Sequence, residues 1–451
     1  MFNLDQFLLD REERADRQFA LIDKFNLPLI SLRSNYPGEN KNAFIPREIL
    51  EIIHEEIQNI LGNSIKYEEN IISLEGKTFL LIVKMNAIDL KKLVMEIEEK
   101  HLLGRCVDID IFNENKEPLS RTDLGYSKRK CFLCDNLAFA CGRSMAHTHE
   151  EIQDNIKTRY INYLSYDKKR ENIIDTIGDL ALKAMILEVS AFPSFGLVSP
   201  LSNGSHKDMN FFTFIDSSFA IKPYLKKMAK VGFSPLSLDI IFSQIRKIGI
   251  VAEEEMFLAT SGVNTHKGMI FLMGIAVAIT SKVLYEDDDF SSISKYISLM
   301  CKDILKDFEN ININSKLTHG EKLFLNHGIT GIRGEVKNGL QSIFKGSIDI
   351  FEESLNKDSD INKAMIQTLL FLMGELEDST ILHRQNIDTL KEIQKTAKKL
   401  LKSGGIYNSE NVSIIKTLED EYITRRISPG GAADSLAVTI FLSNCKNILF
   451  K

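Results

Sequence analysis

The sequence predicts an α/β N-terminal domain followed by a larger all-α domain. Up to Lys130, short apolar runs alternate with amphipathic stretches, whereas from Glu150 onward long amphipathic segments follow one another. The 451 residues also exceed what one hydrophobic core usually serves. We place the domains at residues 1–170 and 171–451, because the charge density of the sequence peaks near that point. No Gly/Ser- or Pro-rich linker separates the two domains.

The N-terminal domain alternates three predicted strands with two predicted helices. In order, these are strand Leu29–Leu32, helix Arg47–Leu61, strand Phe79–Val83, helix Ala87–Lys100 and strand Cys106–Phe112. The strand segments are short apolar runs, and the helical segments repeat apolar residues every three or four positions. The C-terminal domain shows the helical period throughout.

Composition narrows the class of protein. The net charge of −6 and the lack of a Lys/Arg stripe argue against a nucleic-acid partner. The charged segment Met1–Arg17 lacks the apolar core of a signal peptide, and the apolar run Met269–Ile279 is too short to cross a bilayer, which predicts a buried helix. Six cysteines in so long a chain indicate thiols of a reducing compartment. We therefore expect a cytoplasmic protein without a membrane partner.

Two carboxylates lie two residues apart in the β-type run Gly104–Phe112. Alternate residues of a strand face one side, so Asp108 and Asp110 converge while the apolar residues between them pack behind. Convergent carboxylates suit Mg²⁺ bridging a triphosphate, and Gly104 leaves room for a phosphate near the backbone. A strand with a solvated acidic face explains the same pattern, so the residues alone leave both interpretations open.

A cysteine cluster follows this strand. The spacing Cys131-x2-Cys134-x6-Cys141, with His147 downstream, matches a tetrahedral zinc site with three thiolates and one imidazole. The segment is also apolar and rich in alanine, as is typical of small cysteines buried in a core. We favour the core interpretation and expect the protein to contain little zinc.

Several N-terminal motifs, taken in order, resemble the holo-citrate-lyase synthase family. They are Leu32–Gly38, Gly104-Arg105 with Asp108 and Asp110, Ser120-Arg121, and Arg129 through Cys141 and Arg143 to His147. The resemblance implies transfer of a phosphoribosyl-dephospho-CoA unit to a serine of the citrate lyase acyl carrier protein (gamma subunit), with loss of pyrophosphate. It implies nucleotidyltransferase chemistry in which Asp108 and Asp110 are catalytic Mg²⁺ ligands and Gly104, Arg105 and Arg121 bind substrate.

Four polar clusters interrupt the predicted helices of the C-terminal domain. They are residues 204–209, 262–268, 331–335 and 428–434, each joining glycines to charged or histidine side chains. In the second cluster Asn264 or Thr265 caps the next helix and leaves His266 and Lys267 in its first turn, where a cation favours a bound anion. In the fourth, Ser428 is the predicted N-cap, with Pro429 at the first helical position. No Walker phosphate-binding loop occurs, so a nucleotide site is of another kind.

The C-terminal clusters, in order, resemble the triphosphoribosyl-dephospho-CoA synthase family. The matching motifs are Phe192-Pro193 with Gly196–Val198, His206–Met209, Gly262–Gly268, Arg333–Glu335, Glu377–Ser379 with Arg384, and Ser428–Asp434. The family usually continues its first motif Pro-Lys-Pro-Gly, whereas Ser194 and Phe195 stand here, so any phosphate contact of that lysine is absent or supplied elsewhere. Ser379 stands where threonine is usual and keeps the hydroxyl.

The resemblance implies that ATP reacts with 3′-dephospho-CoA and expels adenine. Such a glycosyl transfer needs a base for the attacking hydroxyl and an acid for the leaving group. The candidate catalytic residues are His206, Asp208, His266, Glu335 and Asp434. The candidate substrate- and phosphate-binding residues are Lys207, Asn264, Lys267, Arg333, Asp378, Arg384, Gly430 and Gly431.

Two other functions remain open at this point. A non-catalytic factor that assembles carrier protein with a CoA-like ligand needs the same binding clusters, but not their carboxylates. A related synthase serving malonate decarboxylase uses the same prosthetic group, and the N-terminal resemblance argues against it. The sequence therefore favours a bifunctional, ATP-binding transferase.

Overall fold

The computed structural model describes residues 3–306, 324–325 and 328–450 and divides the chain into two compact units, Met1–Lys169 and Arg170–Lys451. The division falls inside one helix, α5, which runs from His149 to Ser190. No turn or linker therefore marks the point where the first unit ends.

The first unit contains a four-stranded antiparallel sheet in the order β2-β3-β1-β4. The strands are β1 Leu29–Ser34, β2 Ile65–Ser73, β3 Gly76–Val83 and β4 Val107–Phe112. The helices are α1 Leu4–Phe25, α2 Phe44–Leu61, α3 Ala87–Lys100, α4 Ala138–Ser144 and the first part of α5. The predicted elements are present, and the strands are antiparallel, a direction that the alternation of strands and helices did not specify.

Three elements of this unit were not predicted: strand β2, helix α1 and the short helix α4. Strand β2 carries many charged residues and lies at the edge of the sheet, so its apolar signal is weak; it joins β3 through a two-residue turn. Helix α1 is the charged N-terminal segment, whose Leu21 and Ile22 pack on the sheet beside Leu29. Its core-facing stripe is short, which explains why the periodicity was missed.

The sheet has two different faces. Helices α2 and α3 pack on the face formed by apolar residues such as Ile30, Leu81 and Ile109. The burial of β4 alternates strictly, so Asp108 and Asp110 lie on the opposite face, as predicted. That opposite face is the one on which α1 packs.

The second unit is helical, as predicted. Its helices are the rest of α5, α6 Phe211–Gly232, α7 Leu238–Ala259, α8 Lys267–Tyr285, α9 Ser292–Met300, α10 Gly331–Lys337, α11 Ile348–Asp358, α12 Ile361–Glu375, α13 Ser379–Arg384, α14 Ile387–Lys402, α15 Ser409–Arg425 and α16 Gly430–Leu449. Helix α8 is apolar and long enough to cross a membrane, but most of it is buried against α6, α7 and α16. The run Met269–Ile279 is thus a core helix, as predicted.

Candidate active sites

The second unit contains a cavity of about 880 Å³ where its polar clusters meet. The lining includes side chains or backbone from residues 206–209, 264–268, 330–335, 375–384 and 428–435. These segments lie far apart in the sequence, and several of them are helix starts. Two predicted residues lie elsewhere: Lys207 is exposed and does not line the cavity, and Arg333 lines a neighbouring cavity of about 380 Å³.

Two of these helices begin one or two residues later than predicted. Helix α8 begins at Lys267 with His266 as its N-cap, although Asn264 Oδ1 does accept the Lys267 backbone N–H at 3.2 Å. Helix α16 begins at Gly430, with Pro429 as its N-cap. Ser428 is therefore not the cap, and its hydroxyl is instead hydrogen-bonded to His206.

Asp378 joins two helix starts at the edge of the cavity. Its Oδ1 accepts the backbone N–H groups of Thr380 (2.8 Å) and Ile381 (3.2 Å) at the start of α13. Its Oδ2 accepts the N–H of Ala432 (3.0 Å) in the first turn of α16. Burial raises the pKa of Asp378, and these N–H donors oppose that rise. The geometry makes Asp378 a positioning residue that holds the Gly430-Gly431 backbone in place.

His206 is held in one tautomer by its neighbours. Arg384 Nη2 lies 3.2 Å from Nδ1, and because a guanidinium only donates, Nδ1 is the unprotonated nitrogen. The proton of the neutral ring is then on Nε2, which lies 3.1 Å from Ser428 Oγ. Burial, together with the Arg384 charge, lowers the pKa of His206 to about 4. His206 is therefore neutral at pH 7, with both nitrogens occupied.

His266 is almost fully buried at the start of α8. Its Nδ1 lies 2.7 Å from Ser217 Oγ, which in turn accepts the hydroxyl of Thr265 at 2.7 Å. Its Nε2 has no hydrogen-bond partner among the described residues, and burial lowers the pKa of the ring to about 3. The predicted proton-transferring histidine is thus neutral at ordinary pH. Ser217 gave no signal in the sequence, because it lies within helix α6 and belongs to none of the polar clusters.

Two carboxyl groups of the cavity have strongly perturbed acidities. Burial raises the pKa of Glu188 to about 8, and burial together with the nearby charges of Glu188 and Asp378 raises that of Asp434 well above its ordinary value. Asp434 was predicted, whereas Glu188 was missed. Its signal was a single acidic residue in the apolar segment Ala181–Val189. Buried carboxyl groups with raised pKa values are typical of acid–base sites.

Two of the remaining predicted groups of this unit, Lys267 and Glu335, have protein partners. Lys267 donates to Glu253 Oε2 at 2.8 Å and is largely exposed at the first position of α8. Glu335 accepts the Ser342 hydroxyl at 2.8 Å and lines the cavity. Asp208 is exposed on the cavity wall. An anion at the start of α8 has to compete with Glu253 for Lys267.

In the first unit, Asp108 and Asp110 are paired with arginines. Asp110 Oδ2 lies 2.8 Å from Arg33 Nη2, and Asp108 Oδ1 lies 3.0 Å from Arg129 Nη1. The second oxygen of each carboxylate has no hydrogen bond among the described residues, and both side chains remain accessible. Such oxygens suit Mg²⁺, which keeps most of its water and takes one or two carboxylates. Arg33 and Arg129 lie in the motifs noted above but were not singled out as site residues.

The other predicted residues of this unit have structural contacts. Gly104 is buried, and a methyl group there would lie 2.2 Å from the Ile97 carbonyl oxygen, so the glycine allows close packing on α3. Arg105 donates to the Lys130 carbonyl oxygen, and Arg121 donates to Glu99 at 3.1 Å. Gly104 thus has a packing role, and its contact with a phosphate stays a prediction.

The cysteines do not form the core that was expected. Cys131 and Cys134 are half-buried, and Cys141 is buried. The three sulfur atoms and a ring nitrogen of His147 all lie within 4.8 Å of one another. Most of the large apolar residues of the segment are exposed and do not cover the sulfur atoms.

Both units match known families. Residues 174–449 match the family described as ATP:dephospho-CoA triphosphoribosyl transferase (CitG), and residues 2–163 match apo-citrate lyase phosphoribosyl-dephospho-CoA transferase (CitX). Protein CitXG of Leuconostoc mesenteroides subsp. cremoris is 33% identical over 98% of this chain and 97% of its own length. Protein CitXG of Haemophilus influenzae is 31% identical over 97% of this chain and 95% of its own. A 2-(5''-triphosphoribosyl)-3'-dephosphocoenzyme-A synthase of Escherichia fergusonii is 34% identical over 59% of this chain and 90% of its own length.

Proposed function

Because the chain belongs to the CitXG family, whose members join a CitX-type and a CitG-type unit, we propose that it both makes the prosthetic group of citrate lyase and attaches it. The second unit converts ATP and 3′-dephospho-CoA to 2′-(5″-triphosphoribosyl)-3′-dephospho-CoA and adenine. The first unit transfers the phosphoribosyl-dephospho-CoA part to a serine of the citrate lyase acyl carrier protein (gamma subunit) and releases pyrophosphate. The chain is thus a bifunctional transferase.

The observation that carries this proposal is the convergence of the separated clusters on one cavity. Its volume of about 880 Å³ is at the upper end of the range for small-molecule sites, as two nucleotide-sized substrates require. Backbone N–H groups at the starts of α8 and α16, with Lys267 and Arg384, provide for the anionic triphosphate. Carboxyl groups deeper in the cavity provide for the proton transfers.

Glu188 and Asp434 form the acid–base pair in our proposal. The bond from the ribose anomeric carbon to adenine breaks, and a bond from that carbon to the 2′-oxygen of dephospho-CoA forms. The hydroxyl loses a proton and adenine gains one. Burial keeps a proton on Glu188 near neutral pH, because its pKa is about 8. Glu188 gives this proton to the departing adenine, and the carboxylate that forms takes the proton of the hydroxyl; Asp434, whose pKa is also raised, lies beside it as the second member of the pair.

The histidines act in our proposal by hydrogen bonding and not by titration. Neutral His266 offers its Nε2–H, and neutral His206 keeps Ser428 and Arg384 in place beside the helix start. Arg384 lines the same cavity as the Gly430-Gly431 backbone, and its positive charge would attract a phosphate oxygen. When it turns to a phosphate, the Nδ1 lone pair of His206 becomes free.

Attachment takes place in the first unit. A serine oxygen of the carrier protein bonds to the α-phosphorus, the bond to the pyrophosphate oxygen breaks, and the serine proton leaves. Asp108 and Asp110 would hold Mg²⁺, which supplies charge neutralisation for the departing pyrophosphate. Arg33 and Arg129 already lie on these carboxylates and can exchange them for phosphate oxygens.

The decisive experiment uses the purified chain and the apo form of the carrier protein. With ATP, dephospho-CoA and Mg²⁺ we expect stoichiometric adenine release and a mass increase of the carrier protein equal to phosphoribosyl-dephospho-CoA. Without the carrier protein, adenine release and the triphosphoribosyl product remain. Adenine release with no mass increase would disprove the second step, and a lack of both would disprove the proposal.

A further inference from the structure

The cluster Cys131, Cys134, Cys141 and His147 has the dimensions of a metal site. Cys134 Sγ lies 3.4 Å from Cys141 Sγ and 3.3 Å from His147 Nε2. Zinc–sulfur bonds of about 2.3 Å at tetrahedral angles place ligand atoms about 3.8 Å apart. The four side chains therefore need only a small outward shift to enclose one ion.

The backbone around the first two cysteines is arranged to stabilise thiolates. The segment turns back on itself through the bridge between Lys130 and Leu137. In this turn the Leu133 N–H donates to Cys131 Sγ at 3.5 Å. The backbone N–H of Cys134 is a second donor to this sulfur atom. A thiol held in this way is a ready metal ligand.

The third and fourth ligands come from the next helix and the turn after it. Cys141 lies in α4, which ends at Met145 in the left-handed conformation, with φ of 47°. That turn brings His147 back onto Cys134. Ligands from a turn, a helix and a second turn thus converge within 17 residues.

This segment has too little apolar packing to hold itself together. Leu133, Leu137, Phe139 and Met145 are exposed, and of its large apolar side chains Phe132 is the one that packs against the core of the first unit. Small units without a sufficient core usually depend on a disulfide or a metal. The sulfur separation of 3.4 Å exceeds the roughly 2.05 Å of a disulfide, and three thiols cannot all pair with one another.

We propose that Cys131, Cys134, Cys141 and His147 bind a structural zinc ion that folds the segment between Arg129 and helix α5. Four protein ligands close the coordination sphere, which leaves no position for substrate and distinguishes a structural from a catalytic zinc. Soft thiolates with one imidazole select zinc over Mg²⁺. This site is separate from Asp108 and Asp110 and does not depend on the proposed reactions.

The test is the metal content of the untagged full-length protein, expressed in zinc-supplemented medium and dialysed against a weak chelator. We expect about one zinc per chain by elemental mass spectrometry, because four ligands hold one ion. Replacement of zinc by Co²⁺ should produce the intense visible absorption of tetrahedral thiolate coordination. Wild-type protein without zinc, with iron instead, or with a disulfide seen as the loss of two hydrogens in its intact mass, overturns the proposal.

Matched variants assign the ligands. Cys134→Ala and His147→Ala should lose the zinc, whereas Cys445→Ala and His149→Ala should keep it, because Cys445 is buried in α16 and His149 is exposed outside the cluster. Circular dichroism shows whether each variant is folded. Zinc that persists in both ligand variants disproves the assignment. If a ligand variant does not fold, the Co²⁺ spectrum of the wild type decides between three-sulfur coordination and another site.

Discussion

The Asp434 carboxylate lies directly on Gly268, so that a methyl group added at Gly268 would come within 2.3 Å of Asp434 Oδ2. Gly268 is the second residue of α8, and Asp434 lies in the second turn of α16. The glycine therefore lets the starts of two helices approach across the cavity. Any side chain at this position must displace the carboxyl group that we place in the acid–base pair.

Gly268→Ala should lower adenine release about a hundredfold while the protein stays folded. A displacement of about 1 Å of a catalytic group can cost this much, whereas alanine is favourable within a helix. The measurements are the initial rate of adenine release and the melting temperature without ligand.

Gly249→Ala is the matched control. This glycine lies in the interior of α7, where an added methyl group meets nothing closer than 3.7 Å. We expect unchanged adenine release and a stability gain of about 0.5–1 kcal/mol. Equal rates for the two variants would show that the position of Asp434 does not matter.

Adenine release by the wild type should fall as the pH rises through about 8, because Glu188 loses the proton that it gives to adenine. Glu188→Gln should lower the rate by about 10²–10⁴-fold and remove that limb of the profile. The exposed Glu353→Gln should retain both the rate and the profile. A Glu188→Gln enzyme with the wild-type profile would exclude Glu188 as the titrating group.

Glu188 should also make stability depend on pH. Its pKa is about 8 in the folded state, against about 4.3 in an unfolded chain, so its contribution is fully present below the lower value. That contribution is lost as the pH rises through the folded-state pKa. Between about pH 5 and about pH 8.5, the melting temperature of Glu188→Gln should therefore decline less than that of the wild type. Parallel declines would contradict the raised pKa.

Asp108→Asn and Asp110→Asn should abolish attachment to the carrier protein and leave adenine release intact, because both carboxylates belong to the first unit. Intact-mass spectrometry of the carrier protein and adenine assays measure the two steps. Asp23→Asn, on the exposed part of α1, should change neither. Equal loss of both steps would refute the division of labour between the units.

Lys267→Ala should raise the ATP concentration needed for half-maximal adenine release by roughly ten- to a hundredfold. This factor corresponds to the loss of one charge-assisted phosphate contact, which contributes about 1.5–3 kcal/mol to binding. The ion pair of Lys267 with Glu253 is exposed, so the melting temperature should hardly change. Lys207→Ala removes an exposed lysine that does not line the cavity and should leave the ATP dependence unchanged. Early melting with normal ATP dependence would make Lys267 a structural residue.

Many residues of the candidate sites could be predicted, because the type and the order of residues in a motif can be read from the sequence. The glycine- and histidine-containing clusters were visible in the sequence, and the alternation of β4 placed Asp108 and Asp110 on one face. The partners of those groups were not visible. Arg33 reaches Asp110 from a neighbouring strand, and Glu188 acquires its raised pKa from burial that no local pattern reports.

By itself, the sequence determined the strands and helices of the first unit in large part, the helical second unit and the two families. These follow from local periodicity and from motifs in order, which depend on neighbouring residues. The tertiary structure alone decided the antiparallel strand order, the use of Gly104 for packing on α3, and the meeting of three thiols with His147. Such properties depend on contacts between residues distant in the chain, or on the exact path of a turn, and their free energy is gained only when the whole unit packs.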